Sequence, residues 1–310
     1  MKNKTILITG GTGSLGKALV NRILKLKPKK VIVYSRGELA QVEMRREIPT
    51  KKLRFLIGDV RDHRRLRRAM AGVDLVIHAS ALKGVDTCAY NPFEAIRTNI
   101  VGAQNLIDAA IDRGVRKVIA ISSDKAANPV NLYGATKLCA DKLFIAANAY
   151  SGKNWTKFSV VRFGNFEGSN GSVLPLWDKQ VEAGNPITIT DPNMTRFHIT
   201  LEDAAKFTIR ALMDCQGGEV WSPKMETYRL KDLADRAVDV QGIKWPIKVI
   251  GKRPGEKLHE DMIVSDDADK TYEFPTHFVT YPSFSWMDVK IPSNAKRVPD
   301  RFEYSSNMNV

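Results

Sequence analysis

Disulfide bridges, thiolate metal sites and membrane spans each need residues that this sequence does not supply. Cysteine occurs three times in 310 residues, at Cys88, Cys139 and Cys215. An odd number at wide spacing fits neither a disulfide framework nor a metal cluster, and isolated thiols account for all of them. No apolar run approaches the roughly 18 residues of a membrane span, and the first short one passes straight into Gly-Gly-Thr-Gly instead of a signal segment. These absences predict a cytoplasmic protein with no metal and no membrane partner. Acidic residues are also scarce, 34 Asp and Glu against 48 Lys and Arg, for a formal net charge of +14. Such a surplus suits a nucleic acid bound along a basic face, or a small phosphorylated ligand held by a few placed cations. The densest basic run, Arg61-Asp-His-Arg-Arg-Leu-Arg-Arg68, has no interleaved aromatics and reads as a solvated helix face; no zinc-finger or RNA-binding signature is present. Nucleic acid is therefore not the expected partner.

What is present is organised as alternating strands and helices. Thr5-Ile-Leu-Ile-Thr9 is a short β-rich run, Gly10 to Gly16 a glycine loop, and Lys17 onward carries apolar residues at helical spacing. That context turns Gly11-x-Gly13-x-x-Gly16 into a dinucleotide fingerprint. Gly11 allows the tight turn, Gly13 lets backbone approach a pyrophosphate, and Gly16 lets helix pack on strand. The next strand, Lys30–Tyr34, ends in Tyr34-Ser35-Arg36, where an NAD-selective fold carries an acidic residue. An arginine and a small hydroxyl suit a 2′-phosphate, so the expected cofactor is NADP.

Further runs at 53–57, 74–78, 115–121 and 157–162 complete the strands, with a long helix expected over 93–113. The pattern predicts an α/β fold, a Rossmann-type doubly wound parallel sheet with right-handed crossovers, followed by a smaller C-terminal lobe. The expected division is 1–165 for the dinucleotide domain, with 198–218 packing back on it, and 166–197 with 219–310 for a substrate lobe. Asp59 either accepts from an adenine amino group or caps the helix beginning near Asp62. His78 reads as a satisfied core residue. Arg196 and Arg253 could clamp a diphosphate or form surface ion pairs.

Chemistry concentrates at Ile121–Lys137. Tyr133 and Lys137 are four apart and share a helix face. A phenol becomes a usable base near neutral pH only where positive charge depresses its pKa, and Lys137 is the expected source of that charge.

Taken together, Thr9-Gly-Gly-Thr-Gly-Ser-Leu-Gly16, Tyr34-Ser-Arg36, Gly58-Asp-Val-Arg-Asp62, Ser123-Asp-Lys-Ala-Ala-Asn-Pro129, Asn131-Leu-Tyr-Gly-Ala-Thr-Lys137 and Arg253-Pro-Gly-Glu-Lys-Leu-His-Glu260 resemble the extended short-chain dehydrogenase/reductases that act on nucleotide sugars. More narrowly they resemble the inverting UDP-N-acetylglucosamine 4,6-dehydratases that begin pseudaminic acid synthesis. The resemblance spans residues 4 to about 265. It implies that Tyr133 takes the C4 hydroxyl proton while hydride leaves C4, that Ser123 hydrogen-bonds that oxygen, and that Lys125 and Asp124 serve as base and acid for elimination across C5 and C6. A neutral Lys125, its pKa lowered by burial or by neighbouring positive charge, is the corresponding expectation. The membrane-anchored, C5-retaining relatives carry methionine at the position of Tyr133.

Carried over residue by residue, cofactor contacts fall on Gly10, Thr12, Gly13, Ser14, Leu15, Gly16, Ser35, Arg36, Asp59, Val60, Ala79, Tyr133 and Lys137. Substrate contacts fall on Lys83, Asn165, Arg196, Arg253 and Glu256. A UDP-sugar partner and a homo-oligomer, dimer or hexamer, are implied with them. The chain departs from the family pattern at Gly37, Gly84, Asp86, Phe166, Glu167 and Asn170. Several of these lie where the sugar and diphosphate are expected, which leaves the exact sugar open. A nucleotide-sugar 4-epimerase shares the Ser, Tyr and Lys set but has no need of Asp124 and Lys125.

Overall fold

Each short apolar run closed by a glycine or polar turn becomes a strand in the computed structural model, which describes residues 1–152, 156–169, 172–239, 245–284, 286–287 and 289–308. The first half alternates strands β1 (Thr5–Thr9), β2 (Lys30–Ser35), β3 (Leu53–Ile57), β4 (Leu75–His78), β5 (Lys117–Ser123) and β6 (Lys157–Phe163) with helices. The helices are α1 (Ser14–Lys25), α2 (Glu38–Glu47), α3 (His63–Ala69), α4 (Val85–Tyr90), α5 (Pro92–Ile96), α6 (Gly102–Asp112) and α7 (Leu132–Tyr150). The strands pair in parallel in the order β3-β2-β1-β4-β5-β6, reversing direction of growth at β1, the doubly wound order whose ligand crevice lies at the strands' carboxyl ends.

Side chains alternate across the pleat, so two cores form. On one face Ile6, Ile8, Val31 and Val33 pack with Leu19 and Ile23 of α1. On the other, Leu7, Ile32, Val76 and Val118 pack with Leu66 of α3, Leu106 of α6 and Phe144 of α7. The later helix α9 (Leu201–Asp214) adds Ala205 and Leu212 to the first core. The helix expected over 93–113 is present, but its backbone widens into a π turn over Arg97–Val101 between α5 and α6. Periodicity cannot show such a turn, because an inserted residue barely disturbs an apolar stripe.

The remaining elements, in chain order, are β7 (Asn165–Phe166), α8 (Val173–Glu182), β8 (Ile187–Ile189), β9 (Thr195–Ile199), β10 (Val220–Pro223), β11 (Glu226–Arg229), α10 (Leu230–Asp239), β12 (Ile247–Val249), β13 (Asp261–Ile263), β14 (Thr271–Phe274), β15 (His277–Thr280), β16 (Lys296–Arg297) and β17 (Tyr304–Ser305). Part of the stretch assigned from sequence to the lobe lies in the central sheet instead: β10 runs parallel beside β6, and β15, β14 and β16 continue antiparallel. The missed signal was local. Thr271-Tyr-Glu-Phe and His277-Phe-Val-Thr flank the two residues Pro275-Thr276, a hairpin spacing.

The lobe proper holds the β11-β9-β7 sheet and the pairs β8–β12 and β13–β17. Phe197, Met262, Phe278 and Tyr304 form its joint with the sheet. Arg162 on β6 crosses that joint, donating to Asp141 of α7 at 3.2 Å and to the Met262 carbonyl of β13 at 3.3 Å. Among the described residues no helix is long and apolar enough to cross a membrane.

Candidate active site

At the end of β1 the chain turns through Gly10, whose φ of +67° and contact with Ala79 leave no room for a side chain; a Cβ there would lie 2.7 Å from the Ala79 oxygen. A Cβ on Gly16 would lie 2.4 Å from the Gly10 oxygen and 2.6 Å from Gly11 Cα, so α1 starts against the strand only with glycine at this position. At Gly13, by contrast, a Cβ would meet nothing nearer than the Gly10 oxygen at 3.3 Å. The space beyond Gly13 is open, bounded by Thr12, Ser14 and the uncapped first turn of α1, which suits a pyrophosphate.

The β2 end carries Ser35, buried and accepting from Gln41 Nε2 at 2.9 Å, and Arg36, exposed, with its guanidinium 4.0 Å from Asp59. Asp62, not Asp59, caps α3 by accepting from Arg65 N at 2.9 Å. Burial would raise the Asp59 carboxyl, but hydrogen bonds from the Arg61 backbone and guanidinium hold it below the usual range. The capping alternative is thus excluded. Val60 is buried beneath it, touching the space a Gly102 side chain would need.

At the carboxyl end of β4, Ala79 begins a loop that reaches Lys83, whose ammonium is pushed down by burial. Asn99, in the π turn, holds this loop: its side chain accepts from Leu82 N at 2.8 Å, donates to Leu82 O at 2.9 Å and donates to Thr136 Oγ1 on α7 at 3.0 Å. The π turn therefore locks the β4 loop to the helix that bears Tyr133. His78 is fully buried, bonded to Thr9 Oγ1 at 2.8 Å and pushed down to about 3 by burial and the Lys137 charge, so it is neutral as expected of a core residue.

β5 delivers Ser123, and a single 3-10 turn places Asp124 and Lys125 behind it. Asp124 Oδ1 accepts from Ser123 Oγ (2.8 Å), Lys125 N (2.8 Å) and Lys125 Nζ (3.1 Å). Asn131 caps α7 by accepting from Gly134 N, and donates to Gly255 O at 2.8 Å, docking the Arg253–Glu256 turn on that helix end. Gly134 is required by a close approach: a Cβ would lie 2.2 Å from the Lys125 oxygen. The helix thereby presses Tyr133 next to the Lys125 loop.

Two electrostatic expectations are corrected here. Burial pushes the Tyr133 phenol up to about 12, and the groups that pull it down are the Ser123 hydroxyl and the Lys125 ammonium. Lys137 instead donates to the Ile121 carbonyl at 2.7 Å; burial lowers it and Asp141 partly restores it. Lys125 is not lowered. Burial disfavours its charge, but Asp124 at 3.1 Å and Glu260 at 3.2 Å together outweigh burial and raise it. The reason is that both carboxylates are themselves buried, one of them supplied from a part of the chain 135 positions away, where sequence spacing has no reach.

The lobe residues converge unequally. Asn165 sits where β6 passes into β7 and hydrogen-bonds Tyr228 of β11. Arg253 pairs with Glu256 through Nε (2.9 Å) and Nη2, and lies 3.5 Å from Asp86; these bonds hold Glu256 below its usual range against burial. Arg196 differs from expectation: its guanidinium donates to the carbonyls of Thr195 (2.7 Å), Leu258 (3.1 Å) and Lys257 (3.1 Å), stapling β9 to the segment before β13. Asn170 lies outside the described residues. The sequence motif ending in Glu260 pointed at the right segment but gave that glutamate no part, and Tyr228 carried no signal at all.

A family model described as "Polysaccharide biosynthesis protein" matches residues 6–282. A Campylobacter jejuni relative named UDP-N-acetylglucosamine 4,6-dehydratase (inverting) is 48% identical, covering 99% of this chain and 93% of its own length. A Rickettsia canadensis relative named UDP-glucose 4-epimerase is 40% identical, covering 89% of this chain and 82% of its own. The solved structure of Pen from Bacillus thuringiensis aligns with a TM-score of 0.91 at 40% identity, covering 99% of this chain and 93% of that one.

Proposed function

This chain belongs to the polysaccharide biosynthesis protein family of extended short-chain dehydrogenase/reductases, and from that membership we propose that it is an enzyme converting UDP-N-acetylglucosamine to a UDP-4-keto-6-deoxy sugar inverted at C5. The observation that carries the reaction type is the Lys125 ammonium held between Asp124 and Glu260, beside Ser123 and Tyr133. Redox at C4 alone would use only the serine and tyrosine; a partly buried lysine with two buried carboxylates is proton-transfer machinery for a second carbon.

The glycine loop with Thr12, Ser14 and Leu15 would hold the pyrophosphate of a nicotinamide dinucleotide, Asp59 and Val60 its adenine, and Ala79, Tyr133 and Lys137 its nicotinamide end. When bound, that cofactor would supply the hydride chemistry, removal from the sugar C4 and return at C6. Tyr133 takes the C4 hydroxyl proton, aided by Ser123. The resulting ketone acidifies C5, Lys125 as a free amine takes the C5 proton, and Asp124, entering this step as the carboxylic acid and leaving it as the carboxylate, gives its proton to the departing C6 hydroxyl, which leaves as water. Reprotonation of C5 from the opposite face inverts it. Lys83, Asn165, Arg253 and Glu256 line the way in for the UDP group, while Arg196 shapes the site from behind. Residues 1–165 with 198–218 carry the dinucleotide and the lobe carries the sugar nucleotide, in the cytoplasm, as the opening step of a pseudaminic acid route. A dimer or hexamer is in keeping with the exposed Tyr90 and Phe93 at α4 and α5.

Incubation with UDP-N-acetylglucosamine in deuterated water, followed by NMR of the sugar, tests the reaction. Deuterium at an inverted C5 in a 6-deoxy-4-keto product is the expected result; a C4 epimer would replace the dehydratase by the epimerase reading. NADP is the expected dinucleotide because Arg36 stands exposed at the β2 end with a small hydroxyl beside it. Arg36→Ala then weakens NADP about tenfold or more with NAD unchanged, since one charge-assisted phosphate contact contributes about 1.5–3 kcal/mol. Equal loss of both dinucleotides by calorimetric titration would count against the 2′-phosphate assignment.

A further inference from the structure

Lys125 cannot act as a base while it holds three protons, and the structure offers it two acceptors. Asp124 Oδ1 lies 3.1 Å and Glu260 Oε1 3.2 Å from Nζ. The two are not equivalent. Asp124 Oδ1 already accepts from Ser123 Oγ and Lys125 N as well as from Nζ, so the lysine shares that oxygen with two other donors. Among the described residues Glu260 Oε1 has the Lys125 ammonium as its one ion-pair partner; the second oxygen of each carboxylate, Asp124 Oδ2 and Glu260 Oε2, is buried with no hydrogen-bond partner there, and Lys257 lies 3.7 Å from Glu260 Oε2. Glu260 is 2% exposed, so its charge is poorly solvated. Burial accordingly raises its carboxyl, with Asp124 adding to the rise and Lys125, Arg196 and Lys257 opposing it.

The placement of Glu260 is built, not incidental. Its backbone N donates to Ser306 Oγ at 2.9 Å, and Ser306 N returns a bond to Glu260 O at 2.8 Å. Ser306 Oγ also contacts Thr195 Oγ1 at 2.7 Å, and Thr195 Oγ1 contacts His259 Nδ1 at 2.8 Å. The β13–β17 pair thus clamps the glutamate from the C-terminal segment, and Arg196 fixes the carbonyls of Lys257 and Leu258 just before it.

We propose that Glu260 is a positioning residue for Lys125: it orients the ammonium and takes one proton from it, so that the lysine meets C5 as a free amine. The inference rests on the dehydratase reading. In the exchange an N–H bond of Lys125 breaks, an O–H bond forms on Glu260, and the ion pair becomes a neutral pair. The free amine then forms a new N–H bond with the C5 proton. The C5–H electron pair passes into the enolate of the C4 ketone, and Lys125 is again an ammonium. Net charge across the three groups is conserved in the first step, which suits a site shielded from water.

The test compares wild type, Glu260→Gln and Glu260→Asp as holoenzymes with UDP-N-acetylglucosamine in deuterated water. C4 oxidation is read from single-turnover nicotinamide absorbance and C5 exchange from NMR. In Glu260→Gln, C5 exchange falls about 100-fold while C4 oxidation and KM stay within about threefold. Glu260→Asp restores part of the exchange. The pH profile of exchange moves with the substitution: the Lys125 proton can then leave only to solvent, so exchange in Glu260→Gln rises with pH, and the lysine, no longer beside that anion, titrates lower than in wild type. A ¹⁵N-lysine NMR titration of the substrate-free holoprotein reads that shift directly. Wild-type exchange in Glu260→Gln, an equal fall of both steps, or an unshifted Lys125 titration would overturn the proposal. Should the glutamine variant not fold, a Glu260→Asp enzyme with undiminished exchange would overturn it equally. If wild type makes no keto product, the activity reading fails, and the lysine titration still decides whether Glu260 governs Lys125.

Discussion

Lys125→Ala is expected to oxidise C4 of UDP-N-acetylglucosamine within about tenfold of the wild-type rate yet to exchange C5 about 1,000-fold more slowly, the scale of a lost general base. Ser123 and Tyr133, which serve C4, keep their places in the variant, since the Asn131 cap and the close approach at Gly134 hold α7; Tyr133 loses only the Lys125 charge that helps lower its phenol, which is why C4 oxidation slows modestly. What disappears is the cation that bridges Asp124 at 3.1 Å and Glu260 at 3.2 Å. The two buried carboxylates then face each other without it, and stability acquires a pH dependence. Glu260 already has its folded value raised above the unfolded one. For such an acid, stability is fully present below the unfolded pKa and is lost as pH rises through the folded pKa. Removing the ammonium raises the folded value further. The variant should therefore melt closer to wild type at pH 5 than at pH 8. A melting deficit independent of pH, or C4 oxidation lost together with C5 exchange, would contradict this account.

Asp141→Asn should cost about 3–5 kcal/mol of stability, the range for breaking one side of a buried ion pair. Asp141 and Arg162 have side chains 2% and 6% exposed and meet at 3.2 Å, so the guanidinium left behind has little water to turn to. The same carboxylate also supports the charge of buried Lys137, which burial alone lowers. The amide should thus weaken the fold and the active site together. Urea unfolding reads the first, with a lower midpoint at unchanged slope. The second appears as slower C4 oxidation at neutral pH. A double substitution, Asp141→Leu with Arg162→Met, removes both charges and is expected to regain most of the stability but not the Lys137 effect.

The parallel half of the sheet was legible because its signals are local. A β-rich run, a glycine loop and an amphipathic helix recur within about 30 residues, the length of one strand–helix–strand unit. Gly16 illustrates how far such signals go: it marks a backbone approach that its motif implies and the structure contains, whereas the close approach at Gly134 shows only in the structure. The π turn around Asn99 was not legible, since one extra residue in a helix leaves the apolar stripe nearly intact. The placement of β10 and β14–β16 in the main sheet was missed because strand pairing between distant segments leaves no period in the sequence.

The site divides in the same way. Ser123, Asp124, Lys125, Tyr133 and Lys137 lie within fifteen positions of one another, and local turn and helix geometry is enough to gather them. By itself the sequence determined which acids and bases are present and at which strand end they stand. Their ionisation was decided only by tertiary structure. Tyr133 is raised by burial, Lys125 stays charged because Glu260 arrives from the C-terminal segment, and Arg196 is turned from an anion clamp into a backbone staple. A pKa depends on desolvation and on charges within a few ångströms, and those distances exist only after the chain has brought remote residues together.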